Sequence, residues 1–303
     1  MRDATEFKGQ DVLLIGTSYS AEDIASQVWK YGAKSVIISH RTEPIGYTTW
    51  PKNISEVPLL QEVVSTVGSG GEQERGGTAT FADGTERHVD AIILCTGYMH
   101  HFPFLSNELR LNPHDDPQQP KNKIWLKGLY RGIFWMKNPK LIHIGPHTGF
   151  FTMNLFDAQA WLCRDFIMGV YKLPPKVEQE AYDDMMVQRC RDLLKDDGHG
   201  NYDHRCIHFQ GNYLDELIQL TDYPSFDVEE VKKLFFEWEE HKAEGIMTFR
   251  NNSYKSVMTG SAAPLLYGPD GKTVLDWKDA MSETCESFGL ADLYDGNVRK
   301  PGK

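Results

Sequence analysis

The chain has 303 residues, 40% of them hydrophobic and 12% aromatic, enough for one large core or two smaller ones. A formal net charge of −11 argues against nucleic acid and anionic membrane surfaces as main partners. The five cysteines are odd in number, widely spaced and without a CxxC pair, so zinc-ribbon and dithiol-redox roles have no support and a reducing, cytoplasmic setting is the default. No apolar stretch approaches the roughly 18 residues of a transmembrane helix, and residues 1–6 lack the apolar core of a signal peptide.

Taken in order, Val12-Leu-Leu-Ile15 predicts a buried parallel strand, and Gly16 a turn that lets the backbone double back. Ser20 is placed to cap the next helix, whose N-terminal amides and dipole attract a pyrophosphate. Ile24, Ala25, Val28 and Trp29 fall at helical spacing, Gly32-Ala33 ends the helix, and Ser35-Val-Ile-Ile-Ser39 reads as a second strand. This is the order of a dinucleotide-binding βαβ unit. Its glycine pattern is G-x-S-x-x-A, with Ser18 and Ala21 where GxGxxG has glycines. NAD-specific units place an acid near the end of the second strand to hold the ribose 2′-hydroxyl. The polar residues at that place are Ser39, His40, Arg41 and Thr42, which suit the 2′-phosphate of NADP.

The glycine-rich run 68–77 has the composition of a surface insertion. Residues 78–81 and 85–89 around Asp83-Gly84 read as a hairpin, and Asp90-Ala-Ile-Ile-Leu-Cys95 as another buried strand ending in Thr96-Gly97. Residues 112–123 predict a loop, and Lys140-Leu-Ile-His-Ile-Gly145 a further strand. Helical patterns follow over 156–170, 177–194, 212–221 and 228–242, with Asp227 as N-cap of the last and Phe235 and Trp238 as core residues. The tail from Gly260 is polar and turn-rich. His100-His101 is given a structural role. The cluster His199, His204, Cys206 and His208 is a better metal candidate, but its glycine-bearing context predicts a surface loop, and no metal site is assigned. There is no GxSxG elbow, and none of the 13 tyrosines has a lysine four residues later. No protein acid, base or nucleophile stands out, as is common where a cofactor carries the chemistry.

Several segments together resemble the flavin-containing monooxygenase family. Phe7-Lys8-Gly9 leading into the first strand is similar to the start of that family's NADPH domain, and the strand ending Thr96-Gly97-Tyr98 with Phe102-Pro-Phe-Leu105 to its ATG-Y and FPFL signature. Gly16 to Asp23 with Arg41-Thr42, Asn154 to Trp161, and Leu217 to Phe226 with Ile246 to Arg250 resemble its bacterial trimethylamine monooxygenase branch.

The resemblance implies an α/β fold: a Rossmann-like NADPH-binding domain over 8–100, then the C-terminal part of an FAD-binding domain with a helical tail over 101–303. It implies that NADPH reduces FAD, that O₂ reacts with the reduced flavin, and that a small amine or sulfide takes the oxygen. It places Gly16, Thr17, Ser18, Tyr19 and Ser20 along the NADP pyrophosphate and ribose, and Arg41 and Thr42 at the 2′-phosphate. Thr96 and Gly97 fall where a crossing strand approaches both dinucleotides, and Thr148 and Phe151 beside the flavin. The family's FAD-binding GxGxxG has no counterpart in the chain, so N-terminal truncation is expected, with a non-catalytic NADP-binding protein as the alternative reading. Exposed strand edges, and association into a homodimer, are expected with it.

Overall fold

The computed structural model describes residues 4–46, 48–67, 73–98, 102–109, 111, 125–146, 149–193, 202–257 and 259–262. The described residues form two compact units: one of residues up to 98 together with 238–255, the other of the stretch from 102 to 237 with 256–261.

In the first unit, β1 (Asp11–Ile15), β2 (Ser35–Ser39), β3 (Ile54–Val57) and β7 (Ala91–Leu94) form a four-stranded sheet in the order β3-β2-β1-β7. Every pairing in it is parallel, with Val12 opposite Val36 on one side and Ala91 on the other. Helix α1 (Tyr19–Lys30) links β1 to β2. A three-stranded antiparallel sheet, β4 (Leu60–Val67), β5 (Gln73–Phe81) and β6 (Glu86–Val89), fills the connection from β3 to β7.

The near-continuous apolar runs of β1 and β2 follow from being covered on both faces. Val12, Leu14, Val36 and Ile38 cluster with Ala21, Ala25 and Val28 of α1. Leu13 and Ile37, which point the other way, cluster with Ala79, Phe81 and Val89 of the antiparallel sheet. Val12, Leu13 and Leu14 are fully buried, each contributing on the order of 1.5–3 kcal/mol.

The second unit is mainly helical. A short hairpin, β8 (Leu129–Tyr130) and β9 (Phe134–Trp135), precedes α2 (Thr152–Ile167), α3 (Lys176–Leu193) and α4 (Tyr202–Gln219). Helix α5 (Val228–Glu244) begins here, and its residues from 238 onward belong to the first unit. Asp227 caps α5 as its sequence predicts, its carboxylate accepting the Glu230 N–H at 3.0 Å.

Four expectations are corrected. The first helix starts at Tyr19 with Ser18, not Ser20, at the N-cap. Residues 73–77 are strand rather than insertion: their glycines let strands close in, since a Cβ on Gly76 or Gly77 would lie 2.6 Å from the carbonyl of Val89 or Val64. Residues 140–145 make one bridge, Ile142 to Phe134, rather than a strand. The histidine-bearing segment from 202 is part of α4, because Ile207, Gln210, Leu214 and Leu217 continue one buried helical stripe through it. His204 and His208 lie against the ring of Phe236 there, at 4.5 and 5.0 Å. His100, His101 and His199, and most of the stretches 112–123 and 260–303, lie outside the described residues.

Candidate nucleotide site

A parallel sheet in which β2 and β3 extend to one side of β1 and β7 lies on the other has its topological switch point between β1 and β7. Ligands of such folds bind at the carboxyl ends of the strands at that point. Gly16 ends β1 there, and Cys95-Thr96-Gly97 follows β7.

Gly16 has φ +120°, and a Cβ on it would stand 2.4 Å from the Cys95 carbonyl oxygen. The turn can therefore pass β7 only as glycine. Its N–H donates to the Ser39 carbonyl at 3.0 Å, and the Cys95 N–H to the Ile15 carbonyl at 2.8 Å, so three strand ends are tied together. Thr96 and Gly97 beyond them are exposed, Gly97 with φ +80°. Burial raises the Cys95 thiol above its ordinary range, which keeps it protonated at neutral pH and poor as a nucleophile.

Helix α1 opens directly after this turn. Ser18 is extended, with φ −101° and ψ 178°, and its carbonyl accepts the N–H groups of Ala21 and Glu22. Its side chain makes no capping bond. The N–H groups of Thr17, Ser18 and Ser20 have no acceptor among the described residues. These unengaged donors at the positive end of a helix dipole make a place for an anion.

At the end of β2, the Ser39 hydroxyl is occupied: it donates to the Pro58 carbonyl and accepts the Leu60 N–H, both at 2.9 Å. His40 is half-buried, with Nδ1 unpaired. Arg41 and Thr42 are exposed, and Arg41 forms no ion pair among the described residues. The predicted residues Gly16 to Ser20, Arg41, Thr42, Thr96 and Gly97 therefore all belong to the first unit and follow the carboxyl ends of β1, β2 and β7. Thr148 lies outside the described residues, and Phe151 is 1% exposed in the core of the second unit, its ring edge-on to Phe235 at 5.0 Å.

A group that sequence reasoning missed stands beside α1. Lys242 of α5 is buried, its Nζ 3.2 Å from Glu22 and 2.9 Å from Glu239. On the surface pattern of an amphipathic helix, Glu239 and Lys242 read as a solvated i,i+3 pair. Farther along, Arg250 pairs with Asp23 at a cavity of about 410 Å³ lined also by Ser20, Gln27, Tyr98 and Phe249.

No family model matches the chain. Over 287 residues, 95% of its length, it is 48% identical to a trimethylamine monooxygenase of Roseovarius sp. (strain 217) and 44% identical to one of Methylocella silvestris. These alignments cover 57% and 56% of the two relatives, so the chain spans a little over half their length. The crystal structure of Tmm from Pelagibacter sp. strain HTCC7211 matches with a TM-score of 0.75 at 41% identity, over 89% of this chain and 56% of that one. The S-allyl-L-cysteine S-oxygenase of Allium sativum shares the fold, with a TM-score of 0.59 at 22% identity over 82% of this chain and 53% of its own.

Proposed function

From a chain that is homologous along 95% of its length to bacterial trimethylamine monooxygenases, we propose that it is the nucleotide-binding and helical portion of an FAD- and NADPH-dependent monooxygenase. In its complete form that enzyme transfers one oxygen of O₂ to a small tertiary amine such as trimethylamine, or to a sulfide. The observation that carries this reading is the β1–β7 switch point, where the Gly16 turn delivers three N–H groups without an acceptor among the described residues, with Arg41 exposed just after the end of β2.

The residues present fit NADP. A pyrophosphate at the start of α1 would accept from the N–H groups of Thr17, Ser18 and Ser20, with the Ser18 hydroxyl free to add a bond. Arg41, exposed after β2, offers the 2′-phosphate a planar fork of donors, and Thr42 a hydroxyl beside it. NADPH, when bound, supplies a hydride. What the chain contributes is orientation of the dinucleotide along the strand ends. The Phe151 ring is enclosed in the core of the second unit, and FAD, when bound, supplies the oxygen-activating chemistry. Residues 8–100 make the NADPH-binding part, which residues 238–255 join, and the rest of 101–303 the FAD-associated part.

No helix among the described residues is long and apolar enough to cross a membrane. Four buried cysteines without disulfides, Cys95, Cys163, Cys190 and Cys206, support a cytoplasmic setting. Edge strand β7, with Leu94 70% exposed, supports association of two copies.

The test is to join this chain in cis to the portion of a related trimethylamine monooxygenase that it does not span. The fusion is expected to purify yellow and to consume O₂ with NADPH and trimethylamine or dimethyl sulfide. A folded, flavin-loaded fusion that shows no substrate-stimulated O₂ uptake would overturn the proposal.

A further inference from the structure

Lys242 is 2% exposed and the two carboxylates beside it are 6% and 8% exposed, which makes them the most enclosed charged group near the nucleotide site. Its ammonium lies 3.2 Å from Glu22 and 2.9 Å from Glu239 and sits over the ring of Tyr19, 3.9 Å from the centroid. The Tyr19 hydroxyl donates to the other Glu239 oxygen at 2.6 Å. One buried cation from α5 thus holds two residues of the first turn of α1, Tyr19 and Glu22, directly after the Gly16 turn.

Burying three charges is costly, and hydrophobic residues of similar volume would stabilise the same helix contact at least as well. The arrangement makes sense through what it does to the anion site. An acid in the first turn favours the helix dipole, yet a bare Glu22 carboxylate would repel a pyrophosphate held by the same turn. Lys242 offsets one of the two carboxylate charges, leaving the group formally at −1, and fixes the ring that flanks the turn through two contacts of different kinds, a cation–π contact and the shared Glu239 carboxylate.

We propose that Lys242 is a positioning residue for the nucleotide, holding Tyr19 and the first turn of α1 in the arrangement that receives the pyrophosphate. This rests on the nucleotide reading above and adds to it a residue about 220 positions away in sequence from the anion site.

Two variants of the full 303-residue chain test it. Lys242→Met alone leaves two buried carboxylates facing one another and can unfold the unit, so it is paired with the triple variant Lys242→Met, Glu22→Gln, Glu239→Gln, which carries no buried charge at this place. Each folded variant is titrated with NADP⁺ and with adenosine 2′-monophosphate, which has the 2′-phosphate but no pyrophosphate. The triple variant is expected to bind NADP⁺ about tenfold more weakly, with 2′-monophosphate affinity within about twofold of wild type. Unchanged NADP⁺ affinity, or equal loss for both probes, would overturn the positioning role. If the triple variant is unaffected while Arg41→Ala weakens NADP⁺, the nucleotide reading stands and only this inference falls. Wild-type chain with no saturable NADP⁺ binding would remove both.

Discussion

Gly16 shows how one residue can answer to two demands. Its sequence context suggests that a bulky side chain there would block a pyrophosphate and leave the fold intact. The structure reverses the order of those effects: with φ +120° and the Cys95 carbonyl where a Cβ would stand, any side chain meets protein backbone before it meets a ligand. Strain at such a backbone conformation and overpacking against β7 each cost on the order of 1–3 kcal/mol. Gly16→Val is therefore expected to lower the urea unfolding midpoint of the chain substantially, with loss of nucleotide binding as a consequence. A variant with a wild-type midpoint and no NADP⁺ binding would show that the ligand, not β7, sets the requirement.

At the scale of elements, the cap of α5 is a place where sequence and structure coincide, and it yields a modest prediction. Asp227 precedes Val228 and bonds the Glu230 N–H, so Asp227→Ala is expected to cost about 1 kcal/mol, read as a small drop in thermal midpoint without change in nucleotide affinity. No drop at all would mean that tertiary packing of Val228 and its neighbours fixes the helix end without the cap. The strands β1 and β2 were legible because both faces are covered and their centres are apolar without interruption; β7 is as apolar, although Ile92 and Leu94 are exposed. The strand over 73–77 was not, because glycine needed for close strand approach has the same composition as glycine in a loop. The start of α4 was hidden by its histidines, of which His204 and His208 both contact the ring of Phe236. Helix patterning is a property of local sequence. That the end of α5 joins the first unit, and that Lys242 meets Glu22, are facts of long-range packing with no local signature.

Across the whole chain, the part of the site legible in the sequence is the part built from consecutive residues: the Gly16 to Ser20 turn, and the basic step Arg41-Thr42 after β2. What was not legible depends on residues from distant segments, as with Lys242 beside Glu22. In the proposed reading, the carboxyl edge of the parallel sheet holds NADP and distinguishes it from NAD through Arg41. A charge-assisted contact to the 2′-phosphate contributes on the order of 1.5–3 kcal/mol, which corresponds to a tenfold or greater preference. The direct measurement is calorimetric titration of the full chain and its Arg41→Ala variant with NADP⁺ and NAD⁺. Saturable NADP⁺ binding at least tenfold tighter than NAD⁺ is expected, with that preference lost in the variant and NAD⁺ affinity nearly unchanged. Equal affinity of the wild-type chain for both nucleotides, or equal loss of both in the variant, would contradict it.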